Sequence, residues 1–341
     1  MTMNILFKML ELKFFFRMNN PRRKRTGYLG IVSIRRKRQG IYPKRLKATS
    51  CLVLILCLML NTATLSAQQS ILPVKVLLVT AHPDDETLLA TTIYKITHEL
   101  DGIVDQVVIT NGEGGYSYSL LSEPIYKLKL TTETIGREIL PEIRKQELLN
   151  AGRILGIRNH YFLDQKDAKY GLDIKEPLDS TWNVSWISIR LQELLVKNKY
   201  DYVLTLLPDS LTHAHHKAAT ILALQALKDG KEKPVILAVS TSNKGETVKD
   251  FFQLDNYSIS KVSKGKPEFR VDRTVGFAPL NKLNYKIIVD WVIAEHKSQG
   301  SLQNLTNDGD YENFWYFDLN GTAKLEKTKR FFDLLSSKVP D

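Results

Sequence analysis

Residues 81–86 read Ala-His-Pro-Asp-Asp-Glu, which puts a histidine and two aspartates within four positions, directly after an apolar run. Adjacent carboxylates repel each other and lose hydration at the end of a buried strand, and a divalent cation relieves both penalties. Consecutive aspartates also point in different directions, so one can ligate while its neighbour faces a substrate. The competing explanation is a helix N-cap, with Asp84 or Asp85 accepting the amides of a helix that starts at Thr87. A cap accounts for one aspartate but not for His82 together with both acids. The second cluster is His213-Ala214-His215-His216, three of the seven histidines within four residues. At a helix start His213 and His216 share a face, which suits one ligand plus one acid–base or oxyanion group. Taken alone, that run reads equally well as solvated surface. Joined to the first cluster, it completes an N/O ligand set with open positions, as in catalytic zinc sites, although iron or cobalt also fits.

The elements that must position these clusters can be read from hydrophobic periodicity. Val74–Thr80, Val104–Thr110, His160–Leu163, Asp201–Leu207 and Pro234–Ser240 are short apolar runs of the buried-strand type. Between and after them, helical spacing is predicted over Thr87–Leu100, Thr131–Leu155, Trp182–Lys197, His216–Leu227, 282–297 and about 322–337, with Gly156 as a helix-ending glycine. The alternation predicts an α/β fold, a Rossmann-like three-layer sandwich with a mainly parallel sheet and helices on both faces. The segment 242–280 is polar and irregular and is read as a hairpin or lid. In such folds ligands bind outside the carboxyl ends of the strands. Residues 80–86, 111–115 and 208–216 all fall at such ends, so the metal site is expected there.

The formal net charge of +11 is concentrated at one end. Residues 1–50 hold 14 of the 48 basic residues and one of the 37 acidic ones, leaving 34 basic against 36 acidic in the remainder. A nucleic-acid partner is therefore not expected. Residues 1–43 read as a basic N-terminal extension, consistent with a translation start further along. Residues 44–67 read as a signal peptide: a basic stretch, the apolar core Cys51–Leu60 and a small-residue close at Ser66-Ala67. The apolar core is short for a membrane span, so export to the periplasm or outside is expected, with an uncleaved anchor as the alternative. Residues 68–341 then form a single domain with no cysteine, because Cys51 and Cys57 both lie in the leader. Any metal site there must be built from His, Asp and Glu.

The ordered set of motifs resembles the PIG-L/LmbE-like zinc-dependent de-N-acetylase family. Ala81–Glu86 is similar to its signature after the first strand, and Ile109–Glu113 to its "TxGE" loop. Arg144-Lys-Gln-Glu147 with Ala151 and Leu155-Gly156 resembles its "RxxE…A…LG" helix, and Phe162–Asp164 with Asp167 its "FLDxxD" segment. His213–His216 resembles "HxDH", and His296–Gln299 resembles the late "HxSQ". One position departs from the pattern: His215 stands where the family usually has Asp.

The resemblance implies removal of an N-acetyl group from a GlcNAc-type sugar or glycoconjugate. It implies His82, Asp85 and His216 as metal ligands and Asp84 as the general base. His213 would stabilise the oxyanion or, as an imidazolium, protonate the leaving amine. Arg144, Asp167 and Glu113 would contact substrate, while Asn111 and His296 would line the pocket or support the ligands. Two rivals stand beside this reading: a metal-dependent glycan-binding protein without turnover, and a hydrolase of another amide or ester, such as a thiol-conjugate amidase or an O-acetyl esterase.

Overall fold

A computed structural model of the chain describes residues 73–337. The extension and the signal peptide, residues 1–43 and 44–67, lie outside the described residues. Five strands run parallel: β1 (Lys75–Thr80), β2 (Ile103–Thr110), β3 (Asn159–Gln165), β4 (Tyr202–Leu206) and β5 (Val235–Ser242). β6 (Phe269–Asp272) and β9 (Tyr311–Tyr316) extend the sheet antiparallel, and β7 (Gly276–Phe277) and β8 (Leu283–Asn284) form a small separate ribbon. The order is β3-β2-β1-β4-β5-β9-β6.

Side chains on β1 alternate between two cores, as the strand period of two demands. Leu77 and Val79 face one core with α3 (Val184–Asn198) and α4 (Ala214–Asp229); Val76 and Leu78 face the other with Ile93, Ile96 and Ala151. The second core also receives α5 (Lys286–Glu295) and α6 (Leu325–Ser336). This is the three-layer α/β sandwich expected from the strand–helix alternation. The 23-residue helix α2 (Glu133–Leu155) ends at Gly156, whose φ of 70° is the left-handed stop that glycine adopts without a Cβ penalty.

Two features differ from the sequence reading. The segment expected as one helix over 87–100 is three short pieces: a 3₁₀ turn (Asp85–Leu89), α1 (Ala90–Tyr94) and a π turn (Lys95–Glu99). Its amides at Thr91 and Thr92 donate to the carboxylate of Glu312 at 2.9 and 3.0 Å, so a residue 220 positions away caps the start of α1. The second difference is the antiparallel edge. β9 carries Glu312 and Asn313, both fully buried, so local hydropathy did not mark it as a strand. Arg273, also buried, donates from Nε to Glu312 at 3.0 Å and from Nη2 to the carbonyl of Thr87 at 2.9 Å, fixing the segment that leaves the first cluster. Glu312→Ala strands the Arg273 guanidinium in the core. It is expected to cost about 3–5 kcal/mol in urea denaturation, and a loss under 1 kcal/mol would contradict that.

Candidate metal centre

The chain runs outward from β1 to β2 and β3, then returns across the sheet to β4 on the other side of β1. The crevice between β1 and β4 is therefore the switch point where open α/β sheets bind ligands. His82–Glu86 leave β1 there, and the loop after β4 leads to His213–His216 at the start of α4. The two clusters, 127 and more residues apart in sequence, meet.

Asp85 is almost fully buried and turns back onto its own strand end. Its Oδ2 accepts the amides of Ala81 and His82, both at 2.9 Å. That leaves Oδ1 facing His216 Nε2 at 3.0 Å and His82 Nδ1 at 3.9 Å, while the two histidine nitrogens lie 3.1 Å apart. The edges of this triangle bracket the spacing of about 3.3 Å that tetrahedral ligands show when each is about 2.0–2.1 Å from zinc. Two imidazole nitrogens and a carboxylate oxygen converging at that spacing fit a divalent cation.

The electrostatics agree with a cation site. Burial alone would raise the Asp85 carboxyl, but His216 and His82 beside it hold it well below the usual range. Burial works to lower His82, yet the Asp85 carboxylate beside it and the charges of Asp167 and Asp84 raise it to about 9. A cation must displace that proton. Apparent affinity is therefore expected to tighten about tenfold per pH unit between pH 6 and 8, with close to one proton released per ion. Calorimetry in two buffers of different ionisation enthalpy measures this directly, and zero proton release at pH 7 would contradict it.

Asp84 sits between the two ligands on a strained backbone, φ 149° and ψ −16°, and its carboxylate opens on the pocket. Among the described residues its side chain accepts no hydrogen bond, although its backbone carbonyl accepts the Thr87 amide at 3.0 Å and the Thr87 hydroxyl at 2.7 Å. Burial, then repulsion from Asp85, raises the Asp84 carboxyl to about 7. The cavity above it, about 510 Å³, is lined by His82, Asp84, Asp85, His213 and His216 on its polar floor. Tyr118, Tyr170, Leu211, Leu302 and Leu305 line its apolar walls, and the sequence reading named none of these five.

His213 caps α4, its Nδ1 accepting the His215 amide at 2.9 Å. A neutral ring then carries its proton on Nε2. Burial, followed by the charges of His82, His215 and His216, lowers it to about 2. That direction favours a neutral His213 over the imidazolium.

Of the three expected substrate contacts, Arg144 and Asp167 line the cavity and Glu113 does not. Arg144 lies at the pocket, but Nε donates to Ser298 Oγ at 3.3 Å, Nη1 to the carbonyl of Gly112, and Nη2 to the carbonyls of Gly115 and Ser298 at 3.2 and 3.3 Å. It braces loop backbone rather than presenting a free fork. Gly112 (φ 74°) permits this, since a Cβ there would meet Arg144 Nη1 at 3.0 Å. Glu113 does not line the cavity; its Oε1 accepts the Asp167 amide at 2.9 Å from behind. Asp167 lines the cavity, with Oδ2 accepting the Gly114 amide at 3.1 Å. His296 is fully buried against Glu86 at 2.5 Å, and Gln299, which does line the pocket, donates to the Pro83 carbonyl, so this late segment holds the first cluster from beneath. Asn111 is also absent from the cavity lining.

The Rossmann-like sheet thus carries, at its switch point, a His/Asp group able to hold a metal ion. Residues 77–227 match the family model described as PIG-L: GlcNAc-PI de-N-acetylase. It is 24% identical over 177 residues, 51% of this chain and 71% of the relative, to a protein of Bacillus subtilis (strain 168) named probable N-acetyl-alpha-D-glucosaminyl L-malate deacetylase 2. Similar solved structures include N,N'-diacetylchitobiose deacetylase from Pyrococcus horikoshii, at 18% identity, TM-score 0.44, 81% of this chain and 94% of that one. Another is the 4-carboxy-2-hydroxymuconate hydratase GalB from Pseudomonas putida KT2440, at 16% identity, TM-score 0.46, 71% of this chain and 95% of that one.

Proposed function

We propose that the chain is a cation-dependent N-deacetylase of a GlcNAc-type sugar or glycoconjugate, with His82, Asp85 and His216 as ligands and zinc as the cation. The observation that carries this reading is the donor triangle of 3.0, 3.1 and 3.9 Å with an unengaged carboxylate, Asp84, beside it. Fe²⁺ and Co²⁺ fit the same donors. When bound, the ion supplies Lewis acidity toward the acyl oxygen and lowers the pKa of water.

Asp84 takes the proton of the attacking water and returns it to the amine as the C–N bond breaks, which releases acetate. His213 donates Nε2–H to the oxygen that gains charge, a contribution on the order of 3 kcal/mol. Asp167 offers a carboxylate oxygen to sugar hydroxyls, and Arg144 and Glu113 keep the loops after β2 and β3 in place. Tyr118 and Tyr170 offer rings on which the apolar face of a sugar can rest.

The leader supports export, and N-terminal sequencing of the secreted protein is expected to begin at Gln68. Among the described residues no helix is long and apolar enough to cross a membrane. The deciding assay is acetate release by the zinc-loaded protein from N-acetylglucosamine, its oligomers and its glycolipids. Saturable binding without release from any of them would instead favour the binding-protein rival.

A further inference from the structure

A histidine that gives one ring nitrogen to a cation leaves the other to be satisfied, and the partner of that second nitrogen fixes the ring's tautomer and rotation. In His82 the nitrogen facing Asp85 and His216 is Nδ1. Its Nε2 lies 3.0 Å from Nδ1 of His215. His215 is fully buried, and its own Nε2 lies 3.3 Å from Oε2 of Glu176. Glu176 is pinned in turn, because Oε1 accepts the hydroxyl of Thr181. The Trp182 indole closes over the histidine with its ring centroid 5.0 Å away, and is itself anchored by Nε1 donating to the Lys166 carbonyl at 3.2 Å.

With His82 neutral, as a ligating imidazole must be, one proton arrangement satisfies the contacts to His215 and Glu176; Asp167 Oδ1, 3.5 Å from Nδ1 of His215, is the remaining polar neighbour. Glu176 accepts Nε2–H of His215, which leaves Nδ1 of His215 with a lone pair. That lone pair accepts Nε2–H of His82, which leaves Nδ1 of His82 with a lone pair aimed between Asp85 and His216. Moving either ring proton to the other nitrogen sets two N–H groups or two lone pairs against each other. An aspartate at position 215, the usual residue of the family, would accept from His82 unaided. A histidine there accepts only while its proton is held on the far nitrogen, and Glu176 is the group that holds it.

We propose that His215 and Glu176 are a pair of positioning residues that set the tautomer of His82 and prepare its Nδ1 to ligate. The proposal rests on the reading of His82, Asp85 and His216 as the cation site. His82, His213 and His215 also bring one ligand atom each to within 4.8 Å of one another. A second ion there would require His82 to bridge two cations with both nitrogens deprotonated. The alignment of Glu176 on the far nitrogen of His215 favours the hydrogen-bonded chain.

The test is zinc affinity of the full chain, read by competition with a chromophoric chelator, so it does not depend on turnover. His215→Ala is expected to weaken binding about 10–100-fold. His215→Asn puts an amide oxygen near the place of Nδ1 and should recover to within about threefold of wild type. Glu176→Ala should cost about tenfold in the wild-type background and nothing more in His215→Asn, a non-additivity that a merely structural Glu176 would not produce. Wild-type affinity in His215→Ala overturns the proposal, as does a Glu176→Ala penalty that persists in full beside His215→Asn. Two ions per wild-type chain, falling to one in His215→Ala, overturn it in favour of the bridged site. If His82→Ala binds zinc as tightly as wild type, or wild type takes up none, the cation site itself is lost, an outcome distinct from the others.

Discussion

Asp84→Asn is expected to retain its full complement of cation and to lose acetate release by about 10³–10⁴-fold in kcat, at the upper end of what one acid–base group supplies. The upper end applies because Asp84 serves twice, taking the proton from water and returning it to the amine. The two neighbouring aspartates are separated by geometry. Asp85 spends one oxygen on the amides of Ala81 and His82 and turns the other to His216, whereas Asp84 keeps both oxygens free toward the cavity. Burial and the Asp85 charge lift its carboxyl to about 7, where a base is most effective near neutral pH. A raised carboxyl must lose its proton before it can act, so wild-type kcat should fall as pH drops below about 7, and a bound cation would move that limb lower. Asparagine has the same shape and tolerates positive φ, so the replacement adds no backbone strain. Metal analysis and initial rates on one preparation check both halves. Wild-type turnover in the variant would place the base elsewhere.

The strand–helix order and the two chemical clusters were legible because both are local. Val76–Val79 is uniformly apolar since both faces of β1 are covered, and Gly156 marks the end of α2 by backbone freedom alone. What escaped was tertiary. β9 carries a buried glutamate that makes sense only beside Arg273 and the amides of Thr91 and Thr92. Glu176 lies in an unpatterned stretch, and nothing before the fold relates it to His215. Arg144 was legible as a pocket residue but not as a brace, because the carbonyls it holds belong to Gly112, Gly115 and Ser298, the last 154 positions away. In each case the type of residue is local information and the partner is not.

His216→Ala is expected to abolish stoichiometric cation binding and reduce acetate release to background. The centre is assembled from two elements: β1's end supplies His82 and Asp85, and the first turn of α4 supplies His216 across the switch point. Removing His216 leaves two protein donors, one short of the three that catalytic zinc sites retain. The remaining pair also changes character. Asp85 loses the imidazole that, after the opposing effect of burial, does most to hold its carboxyl low, so it competes less well for a cation against protons. Stability separates this from misfolding. A cation at about 1,000 times its Kd stabilises the wild-type fold by about 4 kcal/mol, and that increment should vanish in the variant while the metal-free transition stays cooperative. His216 is partly exposed on a helix whose other residues remain packed, so the metal-free protein should fold. Full cation content in His216→Ala, with the increment intact, would move the centre to the remaining convergence of His82, His213 and His215. Asp85 would then be left as a strand-end cap, the plain role that its bonds to Ala81 and His82 already allow.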